Sequence, residues 1–315
     1  MNRNDVTWRG YWPAAPTPFT HEGGLDEEAL GQLMHRYVHD HMHGVLINGS
    51  SGEWFSQTLD ERRRVAEIAV ATLANALPAV IGCSALRLEE SIHLASHAEQ
   101  IGAAGVMLTP PPYARPSGDE IVNFFERVAD ATGLPILVYN IPRRVGVELD
   151  LPTTLRLVAL ERVVALKDEL PADQFFERLP HLVNEVRVFG THFTTPIGMA
   201  VLERVGGDGY IGGWEVLGAD LPAFFEAIWE GDQPRADAIA ARERALDAEL
   251  WDSLRRPRFG RSFQSQLKAA LRLVGIPAGY PRAPLLDLER EELVRLRELL
   301  AASGLPVVES EQIAV

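Results

Sequence analysis

The chain has 315 residues, 46% of them hydrophobic and 23% charged, enough to bury a large core as one large domain or two small ones. A net charge of −14 argues against nucleic acid or an anionic membrane as the main partner. No stretch approaches the ~20 apolar residues of a membrane span, and Met1-Asn2-Arg3-Asn4-Asp5 lacks an apolar signal core, so a cytoplasmic location is expected.

Short β-rich runs recur along the chain at 11–17, 44–48, 79–83, 105–109, 135–139, 163–167, 186–189 and 209–212. Each of the gaps from residue 44 onward suits one strand-helix unit. The runs are continuous rather than alternating, as parallel strands covered by helices should be. Helical stripes lie between them: Leu30, Leu33, Met34, Tyr37 and Val38; then Val65, Ile68, Ala69 and Leu73; then Phe124, Phe125 and Val128. Gly44, Pro78, Gly105 and Pro135 punctuate strand entry. Eight such units predict a (β/α)8 TIM barrel, with an open doubly wound sheet as the alternative. After about residue 215 the strand signals stop, and 219–230, 234–254, 262–274 and 288–302 read as helices. The expected division is a barrel over 1–220 and, over 221–315, helices that complete it and add a C-terminal all-helical extension; the tail 305–315 reads as weakly ordered.

The lone cysteine, Cys83, excludes an intrachain disulfide and reads as a packed core thiol after Ala79-Val80-Ile81-Gly82. The charge run Glu61-Arg62-Arg63-Arg64 reads as a solvated helix face, and Gly206-Gly207-Asp208-Gly209 as a turn, because it precedes a strand where a phosphate loop would follow one.

The chemistry centres on Val163-Val164-Ala165-Leu166-Lys167-Asp168, a buried strand ending in an amine. The chain holds only two lysines, Lys167 and Lys268; every other basic side chain is arginine apart from histidine. An amine can lose its proton when desolvated and attack a carbonyl, which a guanidinium in practice cannot. The alternative is a strand-end lysine reaching to water. Barrel enzymes carry their reacting groups at the C-terminal ends of strands. Those positions hold Asn48-Gly49-Ser50-Ser51-Gly52-Glu53, Tyr139-Asn140-Ile141-Pro142-Arg143-Arg144 and Lys167. Ser50 and Ser51 suit a carboxylate cradle; the competing reading is a helix N-cap, with Ser51 capping and Glu53 in the first turn. Tyr139 suits a proton relay or a core position. Arg144 suits a carboxylate clamp or an exposed loop.

In these residues the sequence resembles the dihydrodipicolinate synthase / N-acetylneuraminate lyase family of Schiff-base aldolases. The marks are Gly49-Ser50-Ser51-Gly52-Glu53, where the family usually has Gly-Thr-Thr-Gly-Glu; Tyr113 within Pro-Pro-Tyr-Ala-Arg-Pro; Tyr139-Asn140-Ile141-Pro142; and Lys167-Asp168, with Lys167 following Tyr139 by 28 residues. The likeness runs from about Pro16-Thr17-Pro18-Phe19 to Arg282-Ala283-Pro284-Leu285. It implies that Lys167 forms an imine with a 2-oxo acid, usually pyruvate. Tyr139 would shuttle protons through the hydroxyl of Ser50. Ser50 and Ser51, with the backbone at Gly49, would bind the 2-oxo acid carboxylate. Tyr113 would reach a neighbouring subunit's site, making the protein a homo-oligomer, dimer or tetramer. Arg144 would hold the carboxylate of an aldehyde substrate, and Ile211 would line the pocket. No metal or other cofactor is implied, since the imine nitrogen carries the positive charge a metal would supply.

Departures fall on the second-substrate side. Glu169-Leu170-Pro171 replaces a small Ser/Gly-rich turn, His192 follows strand seven where many members are acidic, and strand eight runs into Gly212-Gly213-Trp214-Glu215. With Trp54-Phe55 these suggest a more aromatic pocket and an aldehyde other than aspartate semialdehyde, with His192 and Trp214 as substrate contacts. His35, His39, His41, His43, His93 and His97 read as surface helix and loop histidines; no His-Glu-x-x-His motif occurs to make them a metal site. Lys268, in a helical stretch, is assigned no chemistry. The expected function is a Schiff-base lyase or synthase of the 4-hydroxy-tetrahydrodipicolinate synthase type. The alternatives are a dehydratase or deaminase on a sugar-acid or hydroxyproline-derived 2-oxo acid, and a catalytically silent ligand-binding paralogue.

Overall fold

A computed structural model of the chain describes residues 1–213, 215–251, 257–259 and 261–308. Among these, strands β1 (Gly10–Pro13), β2 (Val45–Ile47), β3 (Ala79–Gly82), β4 (Gly105–Leu108), β5 (Ile136–Asn140), β6 (Val163–Asp168), β7 (Arg187–Gly190) and β8 (Gly209–Gly212) make one sheet. Their order is β1-β8-β7-β6-β5-β4-β3-β2. The amide of His43, two residues ahead of β2, donates to the carbonyl of Tyr11 on β1 at 3.0 Å, so the ends of that order meet. Between strands run α1 (Glu27–His39), α2 (Leu59–Leu73), α3 (Leu88–Gln100), α4 (Gly118–Ala129), α5 (Pro142–Val145), α6 (Leu151–Val158), α7 (Ala172–Arg178) and α8 (Pro196–Arg204). This is the (β/α)8 barrel expected from the strand spacing. α9 (Asp220–Glu230), α10 (Gln233–Leu250), α11 (Phe263–Leu273) and α12 (Arg290–Ala302) follow β8.

Strand one is shorter than the 11–17 run suggests, and Pro16 beyond it cannot donate to a ladder. The end of the helix expected over 234–254 and most of the tail 305–315 lie outside the described residues.

The chain divides into two compact units interleaved along the sequence. The first comprises 1–12, 43–46 and 75–211. Within it β3 to β8 pair in parallel, each strand buried on both faces as continuous apolar runs require. α4 shows how a covering helix is specified. Ser117 and Glu120 form a capping box at its start, and Ile121, Phe124, Phe125 and Val128 form its buried stripe. Each of those side chains contributes on the order of 1.5–3 kcal/mol by leaving water. Trp12 packs edge-on against Phe189 and Trp8, with ring centroids 5.7 and 5.6 Å away. At Gly105 a Cβ would stand 2.5 Å from the Trp8 ring, so only glycine lets β4 pass it. The turn at 206–209 ends in Asp208, whose carboxylate accepts from Arg187 at 2.7 Å and from Arg3 at 3.1 Å.

The second unit comprises 13–42, 47–74 and 212–315. α2 starts at a Thr58–Glu61 capping box, and Glu61 also pairs with Arg282. In the run 61–64, Arg62 is not a solvated residue. It is 3% exposed, and its guanidinium lies 5.2 Å over the Trp54 ring because its place on α2 faces the core. Tyr37 donates to the buried carboxylate of Glu215 at 3.1 Å. Trp251 stacks on Phe263, centroids 5.6 Å apart.

Candidate active site

β6 carries four apolar residues into Lys167 and Asp168, and register fixes their neighbours. Lys167 lies opposite Tyr139 on β5 and Phe189 on β7; Asp168 lies opposite Asn140 and Gly190. Lys167 and Tyr139 are 4% and 2% exposed. The ammonium of Lys167 sits 4.0 Å from the centre of the Tyr139 ring.

The pairing continues one residue past the strand, where the amide of Glu169 donates to the carbonyl of Asn140 at 3.0 Å. On an extended backbone residues two apart share a side. Glu169 therefore returns to Lys167, and its Oε1 lies 3.0 Å from Nζ. The Tyr139 hydroxyl donates to the same Oε1 at 2.5 Å, and Arg143 on α5 donates to Oε2 at 2.7 Å. The Glu169 side chain is 11% exposed. One carboxylate thus holds the amine, the phenol and a guanidinium.

The electrostatics follow from burial and these charges. Burial lowers the Lys167 amine from its ordinary value, against the opposing pull of Glu169. Burial and the negative charge of Glu169 raise the Tyr139 phenol well above its usual range. For Glu169 burial works upward, but Lys167, Arg143 and the phenol's hydrogen bond outweigh it and hold the carboxyl at about 2. Asp168 faces away into a supporting chain. Asn140 donates to its Oδ1 at 2.8 Å and accepts from the amide of Leu149 at 3.1 Å, while Arg178 lies 3.5 Å from its Oδ2 and donates to Thr154 at 2.5 Å. Burial raises the Asp168 carboxyl, which makes that support necessary.

The structure therefore brings together Lys167 and Tyr139, and the phenol donates its hydrogen bond to Glu169. The sequence reading placed Glu169 among the departures on the second-substrate side and Arg143 at a strand end, and gave neither a part at the amine. The signal for Glu169 was its position two residues beyond a strand-end lysine. Arg144 is exposed on α5, and its charge is felt at both Lys167 and Tyr139. Ile211 on β8 is buried. His192 has its Nε2 2.8 Å from the Leu170 carbonyl and its ring against Phe175 and Phe176, which supports a structural role. Tyr113 is 92% exposed at a backbone φ of +76°.

Gly49, Ser50 and Ser51 belong to the second unit. Ser51 does not cap a helix: α2 begins eight residues later under Thr58, and the 49–53 segment is a tight turn. There Gly52 donates to the Gly49 carbonyl at 3.1 Å, Glu53 donates to the Ser50 carbonyl at 3.2 Å, and Gln264 donates to that same Ser50 carbonyl at 2.9 Å. Trp214 lies outside the described residues. Of the other expected pocket aromatics, Trp54 is committed to Arg62 and Phe55 is 48% exposed. His43 departs from the surface reading: its Nδ1 accepts from the Tyr11 amide at 3.1 Å, because Gly10 leaves room for the ring. Among the described residues no cluster of three or more His, Cys, Asp or Glu is placed to hold a metal, and no helix is long and apolar enough to cross a membrane.

A model of the Dihydrodipicolinate synthetase family matches residues 7–303. A 4-hydroxy-tetrahydrodipicolinate synthase of Thermus thermophilus is 34% identical over 311 residues, 96% of this chain and 99% of its own. An uncharacterized DapA-like lyase of Rhizobium meliloti is 31% identical over 296 residues, 93% of this chain and 95% of its own. Among solved structures, dihydrodipicolinate synthase from Aquifex aeolicus superposes with a TM-score of 0.84 at 28% identity, covering 96% of this chain and all of that one.

Proposed function

The chain belongs to the dihydrodipicolinate synthetase family, a family of lyases, and from that premise we propose that Lys167 forms a Schiff base with pyruvate or a related 2-oxo acid and that the resulting enamine adds to, or is released from, an aldehyde. The observation that carries this reading is the desolvated Lys167 amine on the Tyr139 ring at the C-terminal end of β6. A neutral Nζ attacks the ketone carbon, and loss of water leaves a protonated imine. That cation is an electron sink, so the adjacent carbon gives up a proton and becomes an enamine nucleophile. Attack on an aldehyde forms the carbon–carbon bond; the reverse steps cleave it. Tyr139, kept protonated by its raised pKa, serves as the proton donor to the oxygen that develops charge.

The remaining roles follow the family likeness. Ser50 and Ser51, with the backbone at Gly49, take the 2-oxo acid carboxylate, and Arg144 takes a carboxylate on the aldehyde. Ile211 lines the pocket, and the protein works in the cytoplasm as a homo-oligomer. The exposed Tyr113 ring fits a residue used in a neighbouring subunit's site. Sedimentation velocity tests the assembly, a monomer at assay concentration being the adverse result.

Borohydride reduction in the presence of pyruvate, followed by peptide mass spectrometry, tests the chemistry. The expected result is one adduct, on Lys167, absent in Lys167→Arg. No adduct, or one on Lys268, contradicts the reading. A screen of aldehydes with pyruvate then identifies the second substrate.

A further inference from the structure

We propose that Glu169 is the general acid–base that makes and unmakes the imine at Lys167. The inference rests on the Schiff-base reading above and adds a residue to it.

Three observations converge on this carboxylate. First, its Oε1 is within hydrogen-bond reach of both Nζ of Lys167, at 3.0 Å, and the hydroxyl of Tyr139, at 2.5 Å. These are the nitrogen that must lose protons and the phenol that must exchange one. Second, the group is fixed. Its amide is tied to the Asn140 carbonyl and its Oε2 to Arg143, so Oε1 is held at the reacting nitrogen without a search through rotamers. Third, stability does not call for it. A buried ion pair is in general no better than apolar residues of the same volume, because desolvation offsets the attraction. A strand-end carboxylate sharing one oxygen between an amine and a phenol is better accounted for by proton transfer.

The steps balance. Lys167 begins as an ammonium and passes one proton to Glu169, giving a neutral amine and a carboxylic acid. The amine attacks C2 of the 2-oxo acid, the nitrogen–carbon bond forms, and a proton moves from nitrogen to the new oxygen, giving a carbinolamine. Glu169 then returns its proton to the carbinolamine hydroxyl, the carbon–oxygen bond breaks, and water departs. What remains is a protonated imine and a carboxylate, ready to run the same steps in reverse for product release. The first transfer is assisted by coupling. Burial favours the protonated carboxyl while Lys167, Arg143 and the phenol's hydrogen bond oppose it, and passing the proton removes the Lys167 charge from that opposition.

The test is single-turnover trapping: wild type and Glu169→Gln are mixed with pyruvate, quenched with borohydride at set times, and the Lys167 adduct is quantified by mass spectrometry. Glutamine keeps the size and the acceptor oxygen but cannot take the proton. The expected result is a trapping rate lowered by about 10²–10⁴-fold, the adduct still reaching completion, and a pH profile that loses the limb present in the wild type. A trapping rate within about threefold of wild type with the same pH profile overturns the proposal while leaving the Schiff base standing. Absence of any Lys167 adduct in the wild type overturns the parent reading instead. Should Glu169→Gln not fold, Glu169→Ala is assayed with and without formate. A slowed rate that formate raises supports the acid–base role; a slowed rate that formate leaves unchanged, or a wild-type rate without formate, overturns it.

Discussion

Nζ of Lys268 lies 2.5 Å from Oε1 of Glu53, and both side chains are wholly buried. The second lysine of the chain is thus committed to a buried ion pair. It also donates to the Tyr280 carbonyl at 2.8 Å and sits 4.5 Å over the Phe19 ring, while the other oxygen of Glu53 accepts the amide of Arg282 at 2.9 Å. Removing one partner strands a charge. Lys268→Met is expected to cost about 3–5 kcal/mol, and the double variant Glu53→Gln/Lys268→Met less than that. Urea unfolding measures both, and a double variant as unstable as the two single losses added together would contradict the coupling.

The strands and covering helices were legible because burial on both faces writes itself into continuous apolar runs, and the pairing of Tyr139 with Lys167 follows from two such runs lying side by side. Position along the strand would also have given Glu169, since residues two apart share a face. What the sequence did not yield depends on distant partners. His43 reads as a loop histidine until Gly10 is seen to make space for it. Ser51 reads as a cap because it stands beside an acidic residue, but Thr58 and Glu61 form the same pattern in register with the helix that follows. Lys268 looks inert on its helix because nothing local shows that Glu53 meets it.

His43 predicts an acid-sensitive window. Burial, with the charge of Arg9, lowers its pKa from 6.5 to about 4, and its Nδ1 needs a lone pair to accept from Tyr11. The charged form is disfavoured in the folded state, so the unfolded chain binds the proton first. The stability tied to neutral His43 is fully present above pH 6.5 and is lost as pH falls toward 4. The loss should be about 3 kcal/mol across the window. In His43→Asn, which keeps an acceptor and does not titrate, this part of the pH dependence should vanish. Urea midpoints of the two proteins at several pH values decide it; parallel curves would contradict the assignment.

Tyr139 contributes a ring to the Lys167 ammonium and a hydroxyl to proton transfer, and Tyr139→Phe separates the two. The ring remains under Nζ, so borohydride with pyruvate should still label Lys167, whereas turnover with a productive aldehyde should fall by about 10²–10⁴-fold. Because the phenol is raised well above 10, it stays protonated through neutral and mildly alkaline pH, and no loss of wild-type activity below pH 10 should be traceable to its ionisation. Steady-state kinetics of both proteins across pH check this. Unchanged turnover in the variant would leave the hydroxyl without a catalytic part.

Asn140 joins β5 to the carboxylate behind the lysine, donating to Asp168 and accepting from Leu149. Asn140→Ala leaves two buried groups unpaired and should cost about 1–3 kcal/mol for each. Asn140→Asp is more informative, because it sets a second carboxylate against Asp168, whose own pKa burial already raises. Two carboxylates sharing that position raise at least one pKa above its unfolded value, so the ionised form is disfavoured in the folded protein. The folded state of this variant is therefore best tolerated below about pH 4 and is weakened as pH rises through the raised value. Relative to the wild type, Asn140→Asp should lose little stability at about pH 4 and progressively more toward about pH 7, which urea unfolding at each pH reads directly. A deficit that stays constant with pH would mean that the two carboxylates do not share a proton, with Arg178 holding Asp168 ionised.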